Sequence, residues 1–214
     1  MPEPGFAPGV LDAHGDPKWI TELACADPNH VLHVVRGLDP KAALEVLGAE
    51  PHLIQRCELP ESKPDDWTSL PELALGSDPD SAAALLAGSV GGWTFVYDDS
   101  GHTFHDALEE LSASGRTAAT SVFTINADAS MAYAVDGEEL AWVKVDDLTE
   151  EDIAGFPDEL RAAFETAGVV EQDYLDPDDF DFAVTMRATC ALAGLTAFTI
   201  DDLRALPLLG ANVG

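Results

Sequence analysis

The sequence has few basic residues and few cysteines, and each shortage excludes a class of protein. Ten lysines and arginines stand against forty aspartates and glutamates among 214 residues, which gives a formal net charge of -30. Nucleic acids and anionic membranes are bound by clustered Lys and Arg, so neither is expected as a partner. The three cysteines, Cys25, Cys57 and Cys190, are widely spaced and form no CxxC pair. Neither a disulfide framework nor a zinc ribbon is therefore expected.

Long hydrophobic runs and a secretion signal are also missing. The first ten residues, MPEPGFAPGV, contain no basic segment and no long apolar stretch. The most apolar stretch, residues 182–198, contains Arg187 and several threonines and is too short and polar for a membrane span. We therefore expect a cytoplasmic protein without a membrane partner.

Familiar catalytic motifs are absent as well. The sequence contains no Walker-A loop, no GxGxxG and no HExxH. Around Ser89, Ala87 stands where a nucleophile elbow needs its first glycine. These absences favour a non-catalytic protein that needs no cofactor and no metal.

The residues that are present predict an α+β protein. Apolar residues make up 46% of the chain, as in ordinary globular proteins. Residues 1–15, rich in Pro and Gly, are expected to form a flexible N-terminal lead-in, and residues 16–207 a single α+β domain. We expect an antiparallel-rich sheet packed with helices into a single compact unit. The predicted strands cover residues 30–36, 93–97, 120–126, 131–135 and 140–145.

Capping residues, turn residues and apolar spacing predict the helices. Asp39-Pro40 starts one helix and Gly48 ends it, whereas Thr149 and Asp152 resemble a capping box. Asp136-Gly137 indicates a hairpin between the last two strands. The predicted helices cover residues 17–26, 39–47, 81–87, 105–113, 157–167, 182–193 and 199–206. Residues 57–80, with four prolines and Trp67, are expected to form a long loop that either docks on the body or acts as a binding loop.

Two segments carry a resemblance to a known family. They are WITELACADPNHVLHVVRGLDPKAALEVLGAEP, with its hydrophobic strand ending in Arg36-Gly37, and GGWTFVYDD. Over residues 17–205 the chain resembles an uncharacterised family of small acidic bacterial proteins, a domain of unknown function. The resemblance implies no reaction, cofactor or catalytic residue.

Two histidines offer a candidate acid–base or metal site. His102 and His105 lie three residues apart at the start of a predicted helix, with Asp98 and Asp106 nearby. The alternative is that they are polar residues of a turn and a first helical turn, because no further ligands are specified.

The acidity is greatest after the predicted sheet. Residues 146–181 contain fourteen acidic residues and one basic residue, Arg161. The run fails the calcium-loop pattern in spacing and in its missing central glycine. It is therefore either a solvated face or a docking surface for a basic partner.

These observations favour a non-catalytic acidic binding protein, of immunity, antitoxin or regulatory type, that occupies a basic protein partner. The alternatives are a small hydrolase-like enzyme that uses His102 or His105, and an accessory domain that is acidic only through proteome composition. The predicted partner-binding residues are Asp173, Tyr174, Asp176, Asp178, Asp179, Asp181 and Trp67.

Overall fold

The β-branched segment over residues 30–36 forms a central strand of an antiparallel sheet of eight strands. The computed structural model describes residues 5–26, 29–77, 83–124, 126, 128–168 and 181–214. The strand order is β2-β8-β3-β4-β1-β5-β6-β7. The strands are β1 His30–Arg36, β2 Gln55–Arg56, β3 Ala83–Val90, β4 Trp93–Asp98, β5 Thr117–Phe123, β6 Ala129–Val135, β7 Glu138–Lys144 and β8 Leu209–Val213.

Helices cover both faces of this sheet, so the protein has an α+β fold. Within the described residues the helices are α1 Lys18–Leu23, α2 Pro40–Val46, α3 Leu70–Leu75, α4 Leu108–Ser112, α5 Glu150–Gly155, α6 Asp158–Ala167, α7 Val184–Leu192 and α8 Ile200–Arg204. Short 3-10 turns lie at His105–Ala107 and Val145–Asp147. Among these residues no helix has the length and apolarity needed to cross a bilayer.

Alternation along β1 divides the core into two layers. Leu32 and Val34 point to the face that also packs against Trp19, Phe95 and Phe164. Val35 points to the other face, where α2 and α4 pack on the sheet. Because successive side chains of a strand point to opposite faces, β1 is buried on both sides and its sequence is almost continuously apolar.

Local sequence signals gave correct turns and helix ends. Asp136 and Gly137 have φ angles of 53° and 79°, as the predicted two-residue hairpin between β6 and β7 requires. Asp39 accepts a hydrogen bond from the Ala42 amide at 3.1 Å and caps α2, and Gly48 follows its end with a φ of 94°. These predictions are confirmed.

The helix predicted over residues 81–87 is wrong. Residues 83–87 belong to β3, which pairs with β4 and β8. β3 is buried on both faces, so the sequence AALLAG shows no polar alternation, and its Ala and Leu suggest a helix. Gly88 fits this central position because a Cβ there would lie 2.6 Å from the Phe95 ring and 2.9 Å from Leu208.

The sequence analysis also missed α3, β2 and β8. α3 interrupts the predicted loop over residues 57–80, with Ser69 and Glu72 forming a capping box at its start. β8 follows the last predicted helix and pairs with β2 and β3. The division into a flexible lead-in and a domain over residues 16–207 stays a prediction. In the structure, the Gly5 amide donates to the Thr166 carbonyl at 2.7 Å.

Candidate functional site

The predicted partner-binding residues fall into three groups. Asp173, Tyr174, Asp176, Asp178 and Asp179 lie outside the described residues. Asp181 is described and is bound to the guanidinium of Arg187. Trp67 is described and 74% exposed.

Arg187 ties together the two chain segments that flank residues 169–180. Its side chain is 3% exposed; its Nε donates to the Ala167 carbonyl at 2.8 Å and its Nη1 to Asp181 at 3.0 Å. The same Nη1 donates to the Gly15 carbonyl at 3.1 Å. Burial raises the pKa of the neighbouring Asp16 to about 6. Arg187 therefore links the end of α6 and the N-terminal segment to Asp181, which precedes α7.

Trp67 lies on a hydrogen-bonded turn and does not dock. The Asp65 carboxylate accepts from the amides of Trp67 and Thr68, both at 2.9 Å, and these bonds lower its pKa. Lys63 donates to the Ala24 carbonyl at 2.5 Å and holds the turn against the end of α1. Leu70, by contrast, is buried. The loop thus docks through Leu70 while its tryptophan faces solvent.

The structure does not assemble His102 and His105 into an acid–base site. His102 is exposed and forms no hydrogen bond with a described residue. His105 Nε2 lies 3.1 Å from Ser130 Oγ, and burial lowers the pKa of its ring. Asp98, the expected carboxylate partner, accepts from Ser100 and Thr103 through both backbone and hydroxyl groups.

A different histidine, His33, is part of a buried polar chain. Thr103 Oγ1 donates to Asp98 at 2.7 Å, so it accepts from His33 Nε2 at 2.8 Å. His33 Nδ1 then accepts from Thr120 Oγ1 at 2.8 Å, which defines a neutral ring protonated on Nε2. Burial lowers the pKa of His33 to about 4. Because both ring nitrogens are bonded and the ring resists protonation, His33 joins strands rather than transferring protons.

The same end of the sheet has a buried carboxyl group, that of Asp99, on the face opposite to His33. Asp99 follows β4, and Ser69 Oγ, which also caps α3, donates to it. Burial raises the pKa of Asp99 to about 7, although the bond from Ser69 acts in the other direction. Tyr97 lies beside it and its ring contacts that of His30, whose pKa is lowered by burial to about 4. Sequence reasoning missed this cluster because its members are far apart in the chain.

The candidate site that is exposed to solvent lies on β7, at one edge of the sheet. We name the pocket there the edge pocket; it has a volume of about 170 Å³ and is lined by Trp142, Val143, Lys144, Asp147, Leu148, Asp152 and Phe156. Trp142 is 50% exposed, and the Lys144 ammonium lies 5.7 Å from the centre of its ring. Among the described residues, β7 pairs only with β6, so its outer edge is open. An open edge, an exposed indole and carboxylates together form a surface suited to binding a cationic group.

Comparison with known proteins gives a family for this chain. The profile of a family described as "Family of unknown function (DUF6461)" matches residues 12–200. The chain belongs to this family. No curated protein and no solved structure matches the chain significantly. The family membership agrees with the predicted resemblance to an uncharacterised domain.

Most basic side chains of this DUF6461 protein are bound by other groups of the same protein. Nine of the ten basic side chains have a partner within the protein, in most cases a carboxylate or a backbone carbonyl. The nine are Lys18, Arg36, Lys41, Lys63, Arg116, Lys144, Arg161, Arg187 and Arg204. Most exposed carboxylates therefore have no cation from the chain to neutralise them.

Metal binding has no site within the described part of this DUF6461 protein. No three His, Cys, Asp or Glu side chains there are grouped so that they could hold an ion.

Proposed function

We propose that this DUF6461 protein is a non-catalytic binding protein that uses its acidic surface to occupy a basic protein partner. The observation that carries the proposal is the edge pocket, where the half-exposed ring of Trp142 lies among the carboxylates of Asp147 and Asp152. The Lys144 ammonium lies 5.7 Å from the centre of that ring, and a lysine or arginine of the partner would take its place.

The charges and the ring contribute to different parts of such a complex. Exposed carboxylates attract a basic protein over a distance and accelerate encounter. Glu138, Glu139, Asp146, Glu150 and Glu151 are exposed around the edge pocket, on β7 and at the start of α5. Affinity depends more on a few aromatic side chains that lose contact with water. Trp142 is the described residue of this surface best suited to that role.

The hydrolase-like alternative receives less support from the geometry. His105 is bonded to Ser130, His102 has no carboxylate orienting it, and the Asp98 oxygens are already bonded. We place the protein in the cytoplasm, as a binding protein of immunity, antitoxin or regulatory type.

Capture from an extract of the native host tests the proposal. The immobilised wild type should retain a basic protein at ~0.05 M salt and release it at ~0.5 M, because screening removes the attraction between exposed charges. Trp142→Ala should lose the captured protein, whereas Leu53→Ala, which truncates an exposed apolar residue outside the pocket, should retain it.

A parallel variant separates the edge pocket from the predicted loop surface. If Trp67→Ala loses the partner and Trp142→Ala keeps it, binding takes place at the Trp67 turn and the edge pocket is the wrong location. Recovery of no basic protein at low salt by the wild type would contradict the proposed function itself.

A further inference from the structure

A second, larger depression lies at the opposite edge of the sheet from β7. It is a groove of about 850 Å³ between the chain that leaves β2 and the chain that connects α8 to β8. Its lining residues are Pro40, Arg56, Cys57, Glu58, Leu59, Ser89, Arg204, Ala205, Leu206, Pro207, Leu208 and Leu209. We call it the β2 groove. Its volume is within the range of small-molecule sites in proteins.

The β2 groove contains Arg56, the one basic side chain without a partner among the described residues. Arg56 is exposed and forms no hydrogen bond or ion pair with any described residue, unlike the nine other basic side chains. A guanidinium with no partner at the mouth of a groove can bind a carboxylate in a planar, two-bond arrangement.

Arg204 adds a second guanidinium to the same lining. Its Nη2 donates to the carbonyls of Pro60 and Glu61 at 3.1 and 3.0 Å, and its Nη1 lies 3.4 Å from Asp201. Its buried Nε has no acceptor among the described residues. Arg204 is thus held in place by the backbone and contributes positive charge to the groove wall.

The negative groups near the groove limit the charge of a ligand. Glu58 belongs to the lining and Asp201 pairs with Arg204, so two carboxylates oppose the two guanidinium groups. The protein as a whole carries a formal charge of -30. A multiply charged anion such as a phosphate ester would be repelled more strongly than a single carboxylate, for which pairing with Arg56 can offset the repulsion.

The remaining lining is apolar and suits a hydrocarbon body. Leu59, Leu206 and Leu209 are partly exposed, and Leu208 is buried beneath them. Burial raises the pKa of Cys57 to about 11, so its thiol stays neutral and adds to the apolar floor. A wall of leucines beside a guanidinium that has no partner among the described residues is the arrangement expected for an amphipathic anion.

We propose that the β2 groove binds a small amphipathic monocarboxylate, with its carboxylate on Arg56 and its apolar chain along the leucines. This site is separate from the edge pocket and does not depend on the proposed partner. The ligand would occupy one edge of the sheet while the other edge stays open.

Calorimetric titration with octanoate tests this assignment. The wild type should bind octanoate saturably and should bind 1-octanol, which has the same chain and no charge, about tenfold more weakly. Arg56→Gln should weaken octanoate binding about tenfold, the usual size of a lost charge-assisted pair. Arg161→Gln removes the same charge from α6, outside the groove, and should bind as the wild type does.

A second variant tests the groove without changing its charge. Ser89→Phe places a ring on an exposed lining position and should weaken octanoate binding while leaving the circular dichroism spectrum unchanged. Three results would overturn the proposal: no saturable binding of octanoate by the wild type, equal affinity for 1-octanol, or equal losses in Arg56→Gln and Arg161→Gln. Partner capture by these variants should be unaffected, so failure here leaves the proposed function standing.

Discussion

Replacing Asp99 by asparagine should change how the stability of this protein depends on pH. Asp99 is 6% exposed, follows β4, and receives a hydrogen bond from Ser69. Asparagine has nearly the same shape and its oxygen can accept the same bond, so the substitution removes the ionisation and little else. We therefore expect correct folding and, near pH 4, a stability within about 1 kcal/mol of the wild type, the size of one altered hydrogen bond.

The magnitude follows from the pKa. Burial raises the pKa of Asp99 from 3.8 to about 7, so between these values the folded state keeps a proton that the unfolded state has lost. The stabilisation is fully present below pH 3.8 and is lost as the pH rises through 7. Each unit of pKa shift corresponds to about 1.4 kcal/mol, so up to about 4 kcal/mol is lost in the wild type by pH 8. Asp99→Asn lacks this loss.

Other buried groups also make the stability depend on pH, but they do so equally in the wild type and in Asp99→Asn. The pKa values of His30 and His33 are lowered from 6.5 to about 4, so these residues destabilise the folded state as the pH falls through that interval. In the wild type they act against Asp99 and against Asp16, whose pKa is also raised by burial, to about 6, so these contributions partly offset one another. Since both histidines remain in the variant, the difference between the two proteins isolates Asp99.

Urea unfolding at one-unit intervals from pH 4 to pH 8 measures this difference. The free energy of unfolding of Asp99→Asn minus that of the wild type should rise by about 3 to 4 kcal/mol across the series, with most of the rise below pH 7. Asp147→Asn, which removes an exposed carboxylate, should show no comparable rise. A difference that stays constant within about 0.5 kcal/mol would show that Asp99 is ionised in the folded state at every pH and refute the reasoning.

Three further substitutions test the packing by the same urea method. Arg187→Met leaves Asp181 without its partner in a largely buried position and should lower the free energy of unfolding by about 3 to 5 kcal/mol; a loss below about 1 kcal/mol would contradict the anchoring role. Gly88→Ala forces a methyl group against two side chains and should cost about 1 to 3 kcal/mol, whereas Gly155→Ala, with nothing within 4 Å, should not destabilise. Thr149→Ala removes the capping box of α5 and should cost about 1 kcal/mol.

Local chemistry made much of the fold predictable. The Asp136-Gly137 turn, the Asp39 cap and the Thr149 capping box each depend on residues within four positions of one another, and each was predicted correctly. The capping box of Ser69 and Glu72, with a proline in the first turn, is an equally local signal and would have revealed α3. β3 is different: whether AALLAGSV is a strand depends on its neighbours β4 and β8, which supply burial on both faces.

The candidate site was less predictable than the fold for the same reason. The alternation Trp142-Val143-Lys144-Val145 indicated a strand with one solvated face, but not that this strand would be the last of the sheet. Only the strand order shows that β7 is the last strand, with no partner on its outer side among the described residues. The hydrogen bonds that link Asp98 to His33 likewise join strands that are far apart in sequence.

Basic side chains that bind the backbone and carboxylates that face solvent together explain how so acidic a chain can fold. They also predict how salt changes its stability. Arg187 and Arg204 bind backbone carbonyls from distant segments, so cations contribute to holding the chain together. The carboxylates of Glu138, Glu150 and Glu151 face solvent and repel one another. Salt screens that repulsion and should stabilise the free protein, because the buried bonds of Arg187 are screened much less. The same salt weakens attraction to a basic partner. If salt dissociates the complex and at the same time stabilises the free protein, the surface charge contributes to binding and not to the stability of the fold.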